Sequence, residues 1–410
     1  MKLGKVTTAV ALALLGCVAL AGNSSAGEDK PVPPAEATKL ARAHNQFGVD
    51  LFKKLHKNGE NTFISPTSIA IAMQMARQGA SGDTRSEMDT AMYLDGIEVP
   101  KANKALLKEL NSRDGVKLKI ANSLWADPAR VTLKPEYTNE VIDYFDSEAR
   151  VADFKDPETV NAINGWISDK TEKLIPKMLN EIKPDDVVFL INAIYFKGDW
   201  TTQFAEKHTK EGDWYNADGT TKKMQLMSRT GKIEYGAMDG HQVARLPYGK
   251  DKQSSMLIIL PEVTASMDEL IAEMTPKKIA DWKRSTRGQE GTLKLPRFEM
   301  GYNQTLNKAL RSTGIETAFN PGKADFTRMG ESRRGPLFIG SVLHEARVIV
   351  NEEGTEAAAA TIVGMRDSES VKPPPFEMTC DRPFLFLITD EPTGAVLFMG
   401  TVYQPKDPAS

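Results

Sequence analysis

Apolar positions change their spacing about halfway along this chain. In the first part they recur at helical intervals. Leu40, His44, Phe47, Leu51 and Leu55 fall on one stripe, which predicts a helix ending near Gly59. His44 on such a stripe reads as a buried structural histidine. Residues 61–79, NTFISPTSIAIAMQMARQG, start extended. Ser65-Pro66 then opens a second helix, because Pro suits a first turn, and Ala70, Met73 and Ala76 continue one face. Thr84-Arg85-Ser86-Glu87 has capping-box form and predicts the start of a third helix.

From residue 187 the pattern changes. VVFLINAIYF (187–196) is almost unbroken apolar sequence, which predicts a strand covered on both faces. Asn192 interrupts it, and a buried amide there needs polar partners. KGDW follows and turns the chain, with Trp200 at the strand's end. Further strands are predicted at 254–261, 291–300, 346–352, 383–390 and 395–402; the last two flank EPTG, a hairpin turn. Helices dominate the first half and strands the second, with no internal repeat. That order favours one large mixed α+β domain over two independent ones.

Composition adds bounds. The chain has 410 residues, 40% hydrophobic and 26% charged, enough to bury a substantial core. A net charge of -3 gives no electrostatic case for nucleic acid. At the N-terminus, Lys2 and Lys5 precede VTTAVALALLGCVALAG and the small residues Ser24 and Ala26. This predicts a secretory signal, residues 1–26, cut after Ala26, and so a secreted protein, extracellular or periplasmic. The uncharged run is short for a membrane span. An alternative stays open: Leu14-Leu15-Gly16-Cys17 resembles a bacterial lipoprotein cleavage site, in which Cys17 would carry lipid and anchor the protein. Residues 27–36, GEDKPVPPAE, read as a flexible leader.

Cys17 and Cys380 are the two cysteines, so cleavage after Ala26 leaves one thiol and no internal disulfide. Cys380 reads as a packing residue. The five histidines are scattered, no Cys/His cluster offers a metal site, and no cofactor is expected. No G-x-S-x-G, H-E-x-x-H, phosphate loop or C-x-x-C is present, which lowers the case for an enzyme.

Four segments, in order, resemble the serpin family. NTFISPTSIAIAMQMARQGASGDT is similar to the serpin helix-B region, and NAIYFKGDWTTQF to the strand that ends in Gly-x-Trp. HEARVIVNEEGTEAAAAT resembles the strand and hinge leading into the reactive loop, and DRPFLFLITDEPTGAVLFMGTV the C-terminal signature. The likeness covers residues 37–404, leaving 405–410 as a tail. It implies a large central β-sheet, two smaller sheets, about nine helices and an exposed loop. It also implies a suicide inhibitor of serine, sometimes cysteine, proteases, here a bacterial secreted member. The protease attacks the loop and forms an acyl-enzyme; the cut loop then inserts into the central sheet and drags the protease with it. Such a protein is consumed, is not an enzyme, acts as a monomer and has its target serine protease as covalent partner.

The resemblance also assigns residues. Ser65, Ser68, Asn192 and His344 match the polar cluster beneath the point where the sheet opens. Glu352 matches the residue at the sheet's top, Arg297 the base that pairs with it, and Trp200 the aromatic beside them. Glu352, Glu353, Gly354, Thr355, Glu356, Ala357, Ala358, Ala359 and Ala360 match the loop hinge. Some serpins are carriers, chaperones or storage proteins, and the loop's own chemistry discriminates. A strand entering a sheet's interior must turn alternate residues inward. Thr355, Ala357, Ala359, Thr361, Val363 and Met365 form one face, all uncharged. Glu356 and Arg366 both fall on the other, and no proline interrupts the run. This pattern favours an inhibitor over an Ala-rich exposed helix or a binding or chaperone-like serpin. The family's usual spacing from the hinge glutamate puts the reactive bond at Ser368–Glu369, although the loop is a few residues longer than in typical members. Met365 suits an elastase-, subtilisin- or chymotrypsin-like protease and Arg366 a trypsin-like one. The expectation is therefore the window Met365, Arg366, Asp367, Ser368, Glu369 and Ser370.

Overall fold

The helical spacing of the first half produces helices α1 (Ala35–Leu55), α2 (Pro66–Gly79), α3 (Gly82–Ala91), α4 (Val99–Leu110), α5 (Pro135–Phe145) and α6 (Glu158–Lys170) in the computed structural model. It describes residues 32–113, 115–182, 186–333, 335–355 and 374–408. Later in the chain come α7 (Met267–Glu273), α8 (Pro276–Ser285) and α9 (Asn307–Ser312). The strands are β1 (Thr62–Ile64), β2 (Val116–Ala126), β3 (Val131–Leu133), β4 (Glu148–Val151), β5 (Val188–Asp199), β6 (Lys210–Tyr215), β7 (Thr221–Met238), β8 (His241–Tyr248) and β9 (Ser254–Pro261). They continue with β10 (Arg287–Pro296), β11 (Phe298–Thr305), β12 (Gly330–Ser332), β13 (Ser341–Val350), β14 (Gly354–Thr355), β15 (Phe376–Thr379), β16 (Phe384–Asp390) and β17 (Val396–Val402).

The strands form three sheets among the described residues. The central one runs β11-β13-β5-β2-β4, with β14 added to β5. The second runs β1-β17-β16-β9-β8-β7-β10-β15, with β6 on β7; β12 and β3 make a small ribbon. The second sheet is larger than the two smaller sheets expected beside a dominant central one. The reason is β7: its 18 residues pair with β6, β8 and β10 along one continuous strand.

The apolar run at 187–196 lies at the centre of its sheet, between β2 and β13. Leu190, Ile194 and Phe196 face the main core, which includes α1 and α2. Phe189, Ile191 and Ala193 face a second cluster with Trp166 and Ile167 of α6. Both faces of β5 are therefore dry, which is why its sequence lacks alternation. In the main core Phe63 stacks on Phe386 and Phe398 at 5.6 and 5.3 Å; burying such a ring stabilises the fold by about 2–3 kcal/mol.

Three local expectations need correction. The single strand at 291–300 is two strands in two sheets, with Arg297 at the break between β10 and β11. Thr84 does not cap a helix start, because α3 already begins at Gly82. The Thr84 hydroxyl instead accepts from the Asp325 amide at 2.9 Å, and Glu87 accepts from the amides of Glu316 and Thr317. Helix α1 starts at Ala35, inside the 27–36 leader. At the other end, Lys406 and Asp407 bond to Glu299 and Arg297, so this part of the tail is attached to the body.

Candidate functional site at the top of the central sheet

Below its upper end the central sheet is closed. Strands β5 and β13 pair in parallel from Phe189–Ser341 to Tyr195–Arg347. Above that pair the two strands part. Into the gap come Gly354 and Thr355, which pair antiparallel with Asp199 and Gly198 of β5. A small cleft remains beneath them, lined by Leu174, Tyr195, Phe196, Arg347, Ile349 and Thr355.

The approach to this gap is tightly held. The Asn351 side chain accepts from the amides of Glu353 and Gly354, both at 3.2 Å. The Trp200 amide donates to the Glu353 carbonyl and the Phe204 amide to the Glu352 carbonyl, each at 2.9 Å. The Trp200 indole donates to the Asn351 carbonyl at 3.0 Å and stacks on Tyr248 at 4.5 Å. Gly354 is required by space: a Cβ there would lie 2.3 Å from the Gly198 carbonyl oxygen. Thr355 is fully buried, and its hydroxyl meets the Tyr248 hydroxyl at 3.0 Å. Burial pushes the Tyr248 phenol far above its ordinary range, so it stays neutral.

Glu352, Arg297 and Trp200 do come together here, with a different division of labour from the expected pair. The closest Arg297–Glu352 approach is 3.9 Å. The Glu352 carboxylate is bonded instead to the Thr209 hydroxyl at 2.5 Å, and Arg297 to Asp407 at 2.9 Å. The tail residue Asp407 thus competes for the base that the sequence reading reserved for Glu352.

Lower on the same seam, Ser65, Ser68, Asn192 and His344 form one buried cluster. Helix α2 supplies the serines: Ser65 is its N-cap and accepts from the Ser68 amide at 3.2 Å. Asn192 and His344 are directly paired residues of β5 and β13. The Asn192 amide donates to the Ser68 hydroxyl, and its oxygen accepts from His344 Nδ1 at 2.5 Å. The Ser65 amide points at His344 Nε2 at 3.4 Å. This is the neutral tautomer, with the proton on Nδ1, and burial lowers the imidazole to about 3. The cluster bridges the β5–β13 seam, so parting the strands breaks it.

Sequence reasoning missed Asn122, which sits opposite Asn192 in the register and accepts from its amide. The signal was present, a lone amide in the apolar stretch IANSLWA, as Asn192 is in its own run. Thr209, Tyr248 and Asp407 carried no comparable signal. Cys380 is fully buried, as a packing residue would be. Glu356–Ala360, the window Met365–Ser370 and Cys17 lie outside the described residues.

Residues 42–405 match the family model described as Serpin (serine protease inhibitor). The leukocyte elastase inhibitor of Bos taurus is 33% identical over 90% of this chain and 100% of its own length. Among solved structures, the native thermophilic serpin tengpin superposes with a TM-score of 0.83 at 32% identity, covering 89% of this chain and 94% of that one. Human thyroxine-binding globulin, complexed with its hormone, shares the fold alone: TM-score 0.81 at 24% identity, over 91% of this chain and 100% of that one. The chain belongs to the serpin family, whose members are generally protease inhibitors rather than catalysts and bind target proteases.

Proposed function

We propose that this protein inhibits serine endopeptidases, and in some cases cysteine ones, as a suicide substrate. The loop after Thr355 is attacked between Met365 and Ser370, with Ser368–Glu369 as the family-spaced bond, and then inserts into the central sheet. The observation that carries this reading is the pairing of Gly354 and Thr355 with the top of β5. Continued one residue at a time, this antiparallel register sets Ala357 opposite Phe196, Ala359 opposite Ile194, Thr361 opposite Asn192 and Val363 opposite Leu190. Those partners face the main core, apart from Asn192, which faces the polar cluster on the same side. Directly opposed residues share a face, so the small uncharged side of the loop would enter the dry layer. Thr361 would bring a hydroxyl to the Asn192–His344 pair. Glu356 would fall on the outer face, opposite Lys197. The register reaches the start of β5, Val188, at Met365, just where the attack window begins.

The N-terminal pattern supports export from a bacterial cell as a signal-cleaved monomer or as a Cys17-anchored lipoprotein. Acylation of the loop and its insertion into the sheet need no cofactor. Incubation with a panel of serine proteases tests the reading. An SDS-stable 1:1 complex is expected with at least one protease, and mass spectrometry of the released C-terminal fragment identifies the bond. Cleavage by every protease without trapping would reject inhibition and leave a binding or chaperone-like role.

A further inference from the structure

The outer face of the β5–β13 seam, opposite the polar cluster, is covered by the segment that follows α6, residues 171–182. Ile175, Met178 and Leu179 of that segment pack with Phe189, Ile191 and Ala193 of β5 and Leu343 of β13 in one apolar cluster. Asn164 ties the segment to α6: its side chain accepts from the amides of Met178 and Leu179, both at 2.9 Å, and donates to the Leu179 carbonyl at 2.7 Å. The sheet holds it at two further points. Arg347 donates to the Leu174 carbonyl at 2.9 Å, and the Asn303 amide points at the Met178 carbonyl at 3.4 Å. Because it touches both strands, the segment bridges the seam, and a strand entering between β5 and β13 must lift it.

Glu345 lies under this bridge. Side chains two apart on a strand share a face, so it falls between Leu343, which packs on the segment, and Arg347, which bonds to it. Its carboxylate accepts, at 2.8 Å, from the same Asn303 amide that faces Met178. The residue is partly buried and has no ion pair among the described residues. Arg347 is the cation whose field reaches it, and that guanidinium is already paired with Glu299 of β11. From β5 its register partner is Ala193, and α6 turns Ile163, Trp166 and Ile167 toward this layer. The segment's own charges are Glu172, Lys173, Lys177 and Glu181; Glu172 pairs with Lys117, and none of the other three pairs with Glu345. Burial therefore prevails over the Asn303 bond and the Arg347 field, and raises the carboxyl to about 7. With the segment closed, Glu345 holds its proton more tightly than in water. The closed state is thus favoured in full below the ordinary value of 4.5, and that preference is lost as pH rises through 7.

We infer that Glu345 is a positioning residue for loop insertion: protonated, it sits beneath a closed segment 171–182, and ionised, it loosens that segment from the β5–β13 seam. The inference rests on the insertion mechanism proposed above. Its cause is solvation, since a carboxylate in a half-dry site without its own cation regains full hydration only when the cover lifts. His344, its neighbour in β13, points to the opposite face and stays neutral over this range, so it gives no competing signal. Trapping requires insertion to outrun deacylation. Mildly alkaline surroundings should therefore favour the trapped complex, and mildly acidic ones turnover of the chain as a substrate.

Hydrogen exchange of the amides in 171–182, followed by mass spectrometry at pH 6 and pH 8 and divided by the intrinsic exchange rate, reads opening of the segment directly. In the intact chain opening should be several-fold more frequent at pH 8, at most about tenfold for a carboxyl held near 7 in place and 4.5 in water. Glu345→Gln, of the same shape without the charge, should open equally at both pH values. Glu345→Ala should give the same flat profile, which keeps the test usable if the amide variant does not fold. Trapping supplies the second reading. The fraction of attacked chains that end as SDS-stable complex is taken as parent over Glu345→Gln, so that the protease's own pH dependence cancels. That ratio should be near one at pH 6 and rise above it by pH 8. Equal opening of the parent at both pH values, a pH response retained in both variants, or a trapping ratio that does not change with pH would each overturn the inference. If no protease is trapped at all, the inhibitory reading fails, and the exchange result alone decides whether Glu345 controls the segment.

Discussion

Thr355 is the residue on which loop chemistry and sheet structure meet. Its alternation with Ala357 and Ala359 assigned it to an inward face, and its buried hydroxyl now has a defined partner in Tyr248. Thr355→Arg would therefore act twice. In the native protein it forces a guanidinium against a neutral phenol in a dry site, which should expel Gly354 and Thr355 from β5. After cleavage it obstructs the first step of insertion. The expected outcome is a substrate: protease titration should show turnover of the variant with little SDS-stable complex, and undiminished trapping would refute the alternation argument. The buried histidines give a second residue-scale test. Burial holds His44 near 4 and His344 near 3, against 6.5 when unfolded. Each is neutral in the fold and gains a proton on unfolding below pH 6.5, so their stabilising contribution is full above that value and falls as pH drops toward 4 and then 3. Glu345 has the opposite sign: burial raises it to about 7, so its contribution is lost as pH rises from 4.5 to 7. Between pH 6.5 and 4.5 the acid offsets one histidine, and the slope steepens below 4.5. Urea midpoints of His344→Gln against the parent should differ in slope by close to one proton, about 1.4 kcal/mol per pH unit, between pH 6 and 4. Parallel curves would show that His344 does not titrate as its burial implies.

At the scale of elements, legibility followed the source of each signal. Strands β5, β9, β16 and β17 were visible in advance because continuous apolar runs have one physical explanation, burial on both faces. The β10–β11 break was not, because LKLPRFEM alternates equally well on either side of Arg297 and nothing local says that the halves join different sheets. Thr84 misled for a related reason: a capping motif is a local pattern, whereas its hydroxyl is claimed by an amide 241 residues away. The polar cluster on the seam was half legible; Asn192 stood out within an apolar strand, His344 and the two serines were assigned by resemblance, and Asn122 was overlooked. The same limit applies to closure at the top of the sheet. Resemblance assigned Glu352 to Arg297, but no pattern could show that Thr209 and Asp407 divide that work. Glu352→Lys should still loosen the hinge, since it breaks the Thr209 bond and sets an ammonium near a guanidinium, reversing the sign of their interaction. Mild heating should yield more polymer than in the parent, read by native gel electrophoresis. Thr209→Val should move the same way but less, because it removes the bond without the repulsion. If both variants polymerise like the parent, the hinge contacts do not govern opening.

For the whole molecule, the inserted state can be distinguished from mere cleavage by its stability. The native sheet holds β5 and β13 together only up to Tyr195 and Arg347, and the loop occupies two residues of a ladder that could extend over the 12 residues of β5. Completing it adds about ten residues of pairing, each hydrogen bond contributing about 1 kcal/mol net before the cost of ordering the chain. It also buries a face of alanine, threonine and valine. Cutting the loop removes the tether that keeps these residues outside, so a nicked inhibitor should be more stable than the intact one, the reverse of what nicking does to most proteins. A domain of this size unfolds with roughly 2 cal/mol/K of entropy per residue, so a net gain of about 8 kcal/mol raises the melting temperature by about 10 °C. Limited digestion followed by calorimetry should show a rise of at least that order in the parent and a much smaller one in Thr355→Arg. A nicked parent that melts at the intact temperature would mean that the cut loop stays out of the sheet. The fold would then be that of a serpin whose work does not depend on insertion.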